Sequence, residues 1–103
     1  MIAELKENLP TVIALCQQHG VERLEVFGSA ARGDGSAPVG DLDFIVRFAD
    51  AASPGYADRY LAFAEALERV FSHPVDLLTE RSVRNPILRQ AIDRDRRVVY
   101  AAA

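Results

Sequence analysis

The run Phe27-Gly28-Ser29-Ala30-Ala31-Arg32-Gly33-Asp34, followed by Asp41-Leu42-Asp43-Phe44-Ile45-Val46, decides how this 103-residue chain is read. Just upstream, residues 22–27 alternate, with Leu24 and Val26 on one side and Arg23 and Glu25 on the other, which is the period of a strand. That strand runs straight into Gly28. Residues 28–40 hold four of the six glycines together with Pro38 and predict a loop, with a helical turn at Ala30 and Ala31. A second strand then covers Asp41 to Phe48. Leu42, Phe44, Val46 and Phe48 share one face and Asp41, Asp43, Ile45 and Arg47 the other, because strand side chains alternate with period two. One face joins a core; the other begins with carboxylates.

Working outward, Leu5, Leu9, Val12, Ile13 and Cys16 recur at helical spacing, and Gly20 follows as a C-cap, so a first helix ends near His19. Pro10 either starts its regular part or bends it. Downstream, Tyr60, Phe63, Ala64, Leu67, Val70 and Phe71 predict a helix that His73 and Pro74 break. Val75 to Leu78 form a short third strand carrying Asp76. Asn85 before Pro86 is an N-cap with proline in the first turn, and Ile87, Leu88, Ala91 and Ile92 continue that helix. Residues 97–100 form a last strand. The alternation predicts an α/β (α+β) layer structure in a single domain spanning residues 1–103.

Composition bounds the function. The length leaves room for one hydrophobic core and excludes a two-domain enzyme. A domain this small offers little area for a deep pocket enclosing two substrates, so a substrate or partner is expected to complete the site. Twelve basic against fifteen acidic side chains give a net charge of −3, which argues against a surface for direct nucleic acid binding. Arg81, Arg84, Arg89, Arg94, Arg96 and Arg97 crowd one segment, read either as a solvated helix face or as a docking surface for an acidic partner or nucleotide. Cys16, the single cysteine, is expected in the core. With no apolar run near the roughly 18 residues of a membrane span, and Glu4 and Glu7 where a signal peptide carries positive charge, the expected setting is cytoplasmic.

Gly28 and Ser29 directly follow a strand, where small residues let the chain turn with its amides outward, a geometry that binds phosphate. Gly28 and Gly33 have the spacing of P-loop glycines, but Asp34 stands where that motif requires lysine. Asp41 and Asp43, one residue apart in a strand, fall on the same side with Cα atoms about 6.5–7 Å apart. Aligned like charges favour a cation, and oxygen ligands near substrate phosphates favour Mg²⁺. Both also fit a strand face turned to water. Asp76 is a third strand aspartate, out of register with its apolar neighbours. His19 and His73 have no ligand spacing and are read as surface or helix-end residues.

The Gly-Ser turn, the Ala-Arg-Gly continuation and the paired aspartates together resemble the signature of the minimal nucleotidyltransferases of the DNA polymerase beta-like superfamily. The resemblance spans essentially the whole chain; it departs at Gly40, where the family often has serine. It implies a nucleotidyltransferase fold, a small mixed sheet with helices packed on one face, and transfer of a nucleoside monophosphate from a triphosphate to a hydroxyl. On that reading Gly28 and Ser29 hold the triphosphate of ATP, Asp41 and Asp43 bind two Mg²⁺ ions, and Asp76 ligates a metal or takes the acceptor's proton. Arg32 contacts phosphate, or pairs with Asp34 or another local acid. Small members resemble antitoxins that modify a tyrosine of a HEPN-type toxin, which makes such a toxin the expected partner. Two other readings stand beside it: transfer to a small molecule such as an aminoglycoside, and a non-catalytic module that masks its partner.

Overall fold

The computed structural model describes residues 1–33 and 40–102. Two short helices open the chain, α1 (Ala3–Glu7) and α2 (Leu9–Gln18), where the periodicity predicts one. The break falls at Asn8, whose side chain donates to the Glu4 carbonyl, and Pro10 sits in the first turn of α2, where its missing N–H costs no hydrogen bond. Strand β1 (Val21–Phe27) leads into a short helix α3 (Gly28–Arg32), the helical turn expected at Ala30 and Ala31. Residues 34–39 of the expected loop, including Asp34 and Pro38, lie outside the described residues. Strand β2 (Leu42–Phe48) follows, then α4 (Tyr56–Val70), β3 (Val75–Thr79), a 3-10 turn (Glu80–Ser82), α5 (Pro86–Asp95) and β4 (Arg97–Ala101). The Asn85 cap is formed: its Oδ1 accepts from the amides of Ile87 and Leu88 at 2.8 and 3.4 Å.

The four strands form one mixed sheet in the order β3-β2-β1-β4. β1 pairs antiparallel with both β2 and β4, while β2 and β3 are parallel and joined across α4. The alternation read from the sequence sorts the sheet's faces. Leu24 and Val26 of β1, Leu42, Phe44 and Val46 of β2, Leu77 of β3 and Val99 of β4 enter one cluster with Leu5, Val12, Cys16, Phe63 and Leu67 of α1, α2 and α4. Phe44, Phe63, Leu24, Leu42 and Leu67 are fully enclosed there. Each stabilises the fold by about 2 kcal/mol through leaving water. Cys16 belongs to this core as expected, and burial pushes its thiol up to about 12.

The expectation of helices on one face holds for α1, α2 and α4. α5 packs on the other, where Phe27, Ile45, Val83 and Ile92 form a smaller cluster against Leu78. It is here that the sequence places Asp43 and Asp76, each two residues from an apolar member of that cluster. The outer side of β3 is partly occupied: the Tyr60 hydroxyl donates to the Leu77 carbonyl, and the Thr79 amide donates to Ser82 Oγ. No helix among the described residues is long and apolar enough to cross a membrane.

Candidate active site

The topology brings three distant pieces of sequence to one end of the sheet. Because β1 and β2 are antiparallel, the end of β1 lies beside the start of β2, and Phe27 pairs with Asp43. Because β2 and β3 are parallel, their starts are also neighbours, and Asp76 stands directly opposite Asp43. Adjacent strands lie about 4.8 Å apart, so these two carboxylates share one face at close range.

Gly28 closes the arrangement. Its φ of +69° lies in the left-handed region, and a Cβ placed there would meet Asp43 Oδ2 at 2.9 Å. The backbone of the turn therefore rests on the Asp43 carboxylate, and glycine is required twice, by the backbone angle and by the close approach. Gly28→Ala is expected to reduce activity at least about 100-fold while lowering stability by about 1–2 kcal/mol, because relieving the clash turns the Asp43 carboxylate out of place. Turnover within a few-fold of wild type would refute that account.

Asp43 is half-buried, and its carboxyl is pushed up to about 6, first by burial, then by the charge of Asp76, a hydrogen bond with Asp76 and the charge of Asp41. Asp41 and Asp76 are exposed. Asp41 stands one residue before β2 rather than within it, a correction to the expected strand start, yet near enough for its charge to act on Asp43. Among the described residues no basic side chain forms an ion pair with any of the three. Nor do three or more carboxylate, imidazole or thiol residues among them come together as a set that would hold a metal ion without further ligands. An uncompensated carboxylate pair with a third acid beside it fits Mg²⁺, which takes one or two protein carboxylates and completes its shell with water and substrate phosphates.

The remaining candidates divide. Ser29 is partly exposed at the start of α3. Arg32 Nη1 pairs with Asp95 Oδ2 of α5 at 2.6 Å, an acid 63 residues away rather than a local one, while Asp34 lies outside the described residues. His19 caps the end of α2, its Nδ1 2.9 Å from the Leu15 carbonyl oxygen, and His73 stands 3.3 Å from Glu4; both are the helix-end and surface residues expected.

The arginine-rich segment is corrected in part. Arg96 and Arg89 are neither a solvated face nor free for docking. Arg96 donates to Glu25 of β1 through Nε at 2.7 Å and Nη2 at 2.9 Å, to Asp93 at 2.8 Å and to Glu80 at 2.5 Å. Glu25, only 5 % exposed, also accepts from Arg23 at 2.8 Å, and Arg89 holds Glu80. Burial drives the Glu25 carboxyl upward, but the hydrogen bonds from Arg96 and Arg23 outweigh it and hold the group below the usual carboxylate range. The Glu25 hydrogen bonds hold the Arg96 guanidinium above its ordinary value. Sequence reasoning missed this cluster; its signal was a glutamate facing the same way as Phe27 and flanked by Leu24 and Val26 in β1.

A glycine turn seated on paired, cation-seeking carboxylates at one sheet end is the layout of an enzyme that transfers phosphoryl or nucleotidyl groups. Residues 12–99 match the family model described as Nucleotidyltransferase domain, and the chain belongs to that family. It is 32 % identical over 95 residues to "Putative protein adenylyltransferase MJ1379" of Methanocaldococcus jannaschii, covering 91 % of this chain and 93 % of that protein. A solved structure described as a minimal nucleotidyltransferase superposes with a TM-score of 0.71 at 33 % identity, covering 94 % of this chain and 95 % of that one. A chain from the complex of tri-AMPylated Shewanella oneidensis HEPN toxin with MNT antitoxin shares the fold, with a TM-score of 0.63 at 20 % identity, covering 95 % of this chain and 73 % of that one. The expected fold and enzyme class are both borne out.

Proposed function

We propose that this nucleotidyltransferase moves the AMP group of ATP onto a hydroxyl, that of a tyrosine, on a HEPN-type partner protein, and so acts as an antitoxin. The observation that carries this reading is the seating of Gly28 on Asp43 with Asp76 in register opposite, which sets a phosphate-binding backbone against a cation-binding pair. The name of the M. jannaschii relative and the complex of an AMPylated toxin with its antitoxin support the choice of a protein acceptor.

In this reading the amides of Gly28 and Ser29, with the Ser29 hydroxyl, bind the triphosphate, and Arg32 on the same turn contacts phosphate by exchanging its Asp95 partner for it. Asp41 and Asp43 hold two Mg²⁺ ions, and Asp76 ligates the ion on the acceptor side or accepts the acceptor's proton. When bound, the two ions neutralise charge on the attacking and leaving oxygens of an in-line displacement. The tyrosine oxygen bonds to the α-phosphorus of ATP as the bond to pyrophosphate breaks. Asp76 lies on the outermost strand, so the acceptor side is open to a second chain.

The test is the mass of a HEPN-type partner after incubation. One or more AMP groups should appear only with wild-type protein, ATP and a divalent ion. A partner neutralised equally well, without added mass, by the Asp41→Asn, Asp43→Asn double variant would establish masking instead.

A further inference from the structure

The α3 turn is only five residues long, too short to hold itself in place by its own ladder. The carbonyls at the end of such a helix lack partners within it. Here the capping Gly33 amide donates to the Ser29 carbonyl at 2.9 Å, and the next two carbonyls find partners in a remote part of the chain: the Ile2 amide donates to Ala30 at 3.0 Å and the Met1 nitrogen to Ala31 at 2.7 Å. Gly33 makes room for this contact. Its φ is +53°, and a Cβ there would come within 3.0 Å of the Ile2 nitrogen and the Met1 carbonyl carbon. The side chains of Met1 and Ile2 pack against the main core, so the segment is itself anchored.

We infer that Met1 and Ile2 form a positioning brace that fixes the Gly28–Arg32 turn on Asp43 and thereby sets the enzyme's hold on nucleotide. The segment touches the turn on its carbonyl side, opposite to the amides that face substrate, and so acts through the turn rather than on the ligand. The inference deepens the proposed function and rests on its assignment of Gly28 and Ser29 to triphosphate binding.

Ile2 has a φ of −65°, the angle that proline imposes. Ile2→Pro therefore keeps the backbone path while deleting the donor to Ala30, and Ile2→Ala removes most of the side chain but keeps that donor. Two readouts separate the brace from the site reading. Without any ligand, Ile2→Pro should speed hydrogen exchange at the Gly33 amide about fivefold, the equivalent of one lost backbone hydrogen bond, while exchange in β1 and β2 stays at wild-type rates. With Mg-ATP, the dissociation constant should rise by about the same factor, and KM should rise more than kcat falls. Ile2→Ala, which keeps the donor but trims the anchoring side chain, should disturb Gly33 less than Ile2→Pro does, and Gly33→Ala should reproduce the loss of ATP affinity from the opposite side. Unchanged exchange at Gly33 in Ile2→Pro overturns the brace. Faster exchange with unchanged ATP affinity overturns its positioning role. If wild-type protein binds no ATP at all, the triphosphate assignment fails and the positioning role with it, while the exchange result still decides whether the brace exists.

Discussion

Asp43→Asn abolishes nucleotidyl transfer, with a loss of at least about 10³-fold, and leaves the fold intact. The carboxylate is the meeting point of the site: Gly28 rests on it, Asp76 faces it in register, and Asp41 repels it. Asparagine has nearly the same shape but no charge to hold a cation, and its amide can donate to Asp76. The same substitution has an opposite effect on stability in metal-free buffer. The native carboxyl is raised from 3.8 to about 6, so the protonated form is favoured by folding. Its contribution is fully present below the unfolded value and is lost as pH rises through the folded one. Wild-type protein in EDTA should therefore lose about 1 kcal/mol between pH 4 and pH 7, a figure reduced for the half-exposed position of the group. Asp43→Asn should lack that loss and melt about 5 °C higher at pH 7. Retained transfer would refute the metal assignment, and an unaltered pH dependence of melting would refute the electrostatic one.

Arg96→Ala should destabilise the protein by about 3 kcal/mol, the largest effect expected from any surface-accessible side chain. Removing the guanidinium leaves Glu25 enclosed beneath α5 with Arg23 as its remaining partner, and releases Glu80 and Asp93 together. A buried charge stripped of its partner costs far more than an exposed pair contributes. Arg23→Ala, by contrast, should cost under about 1 kcal/mol, since its side chain is 40 % exposed and Arg96 still serves Glu25. Burial raises both Glu25 and Glu80, but hydrogen bonds from Arg96 outweigh it and hold both carboxyls below their ordinary range. Their stabilising contribution is present above that range and fades as pH falls through the lowered values. Acid sensitivity of this kind, opposite in sign to that of Asp43, should weaken in Arg96→Ala. Equilibrium urea unfolding measures both effects, and a loss below about 1 kcal/mol would show that the cluster is surface decoration.

The parts legible in the sequence are those set by short-range pattern. Alternation placed β1 and β2 with their faces correct, the Asn85-Pro86 pair marked α5, and the three aspartates stood out because carboxylates are expensive in apolar strands. What escaped was decided by pairing at long range. Glu25 and Arg96 are 71 residues apart, and a run of arginines carries no sign of which two will turn inward. The contact of Met1 and Ile2 with α3 is carried by main-chain atoms, which leave no trace in residue type beyond the glycine that admits them. Asp41 falls just outside β2 because the ladder there begins with the Leu42 amide, bonded to the Pro74 carbonyl. The helix break at Asn8 was half visible in Pro10, which signals a first turn but not where the preceding turn stops.

The position of β3 at the margin of the sheet has a consequence for the protein's life among other chains. A marginal strand offers a row of hydrogen-bonding groups to any extended segment it encounters, and strands recruited in this way seed aggregates. Here that strand bears Asp76, so a recruited segment would also lie across the approach to the carboxylates. The Tyr60 hydroxyl on the Leu77 carbonyl and Ser82 Oγ under the Thr79 amide take up two of the groups that such a segment would need. The flank is thereby kept open for a folded surface presenting a hydroxyl and guarded against a stray strand, a division of traffic achieved by two hydroxyl-bearing side chains.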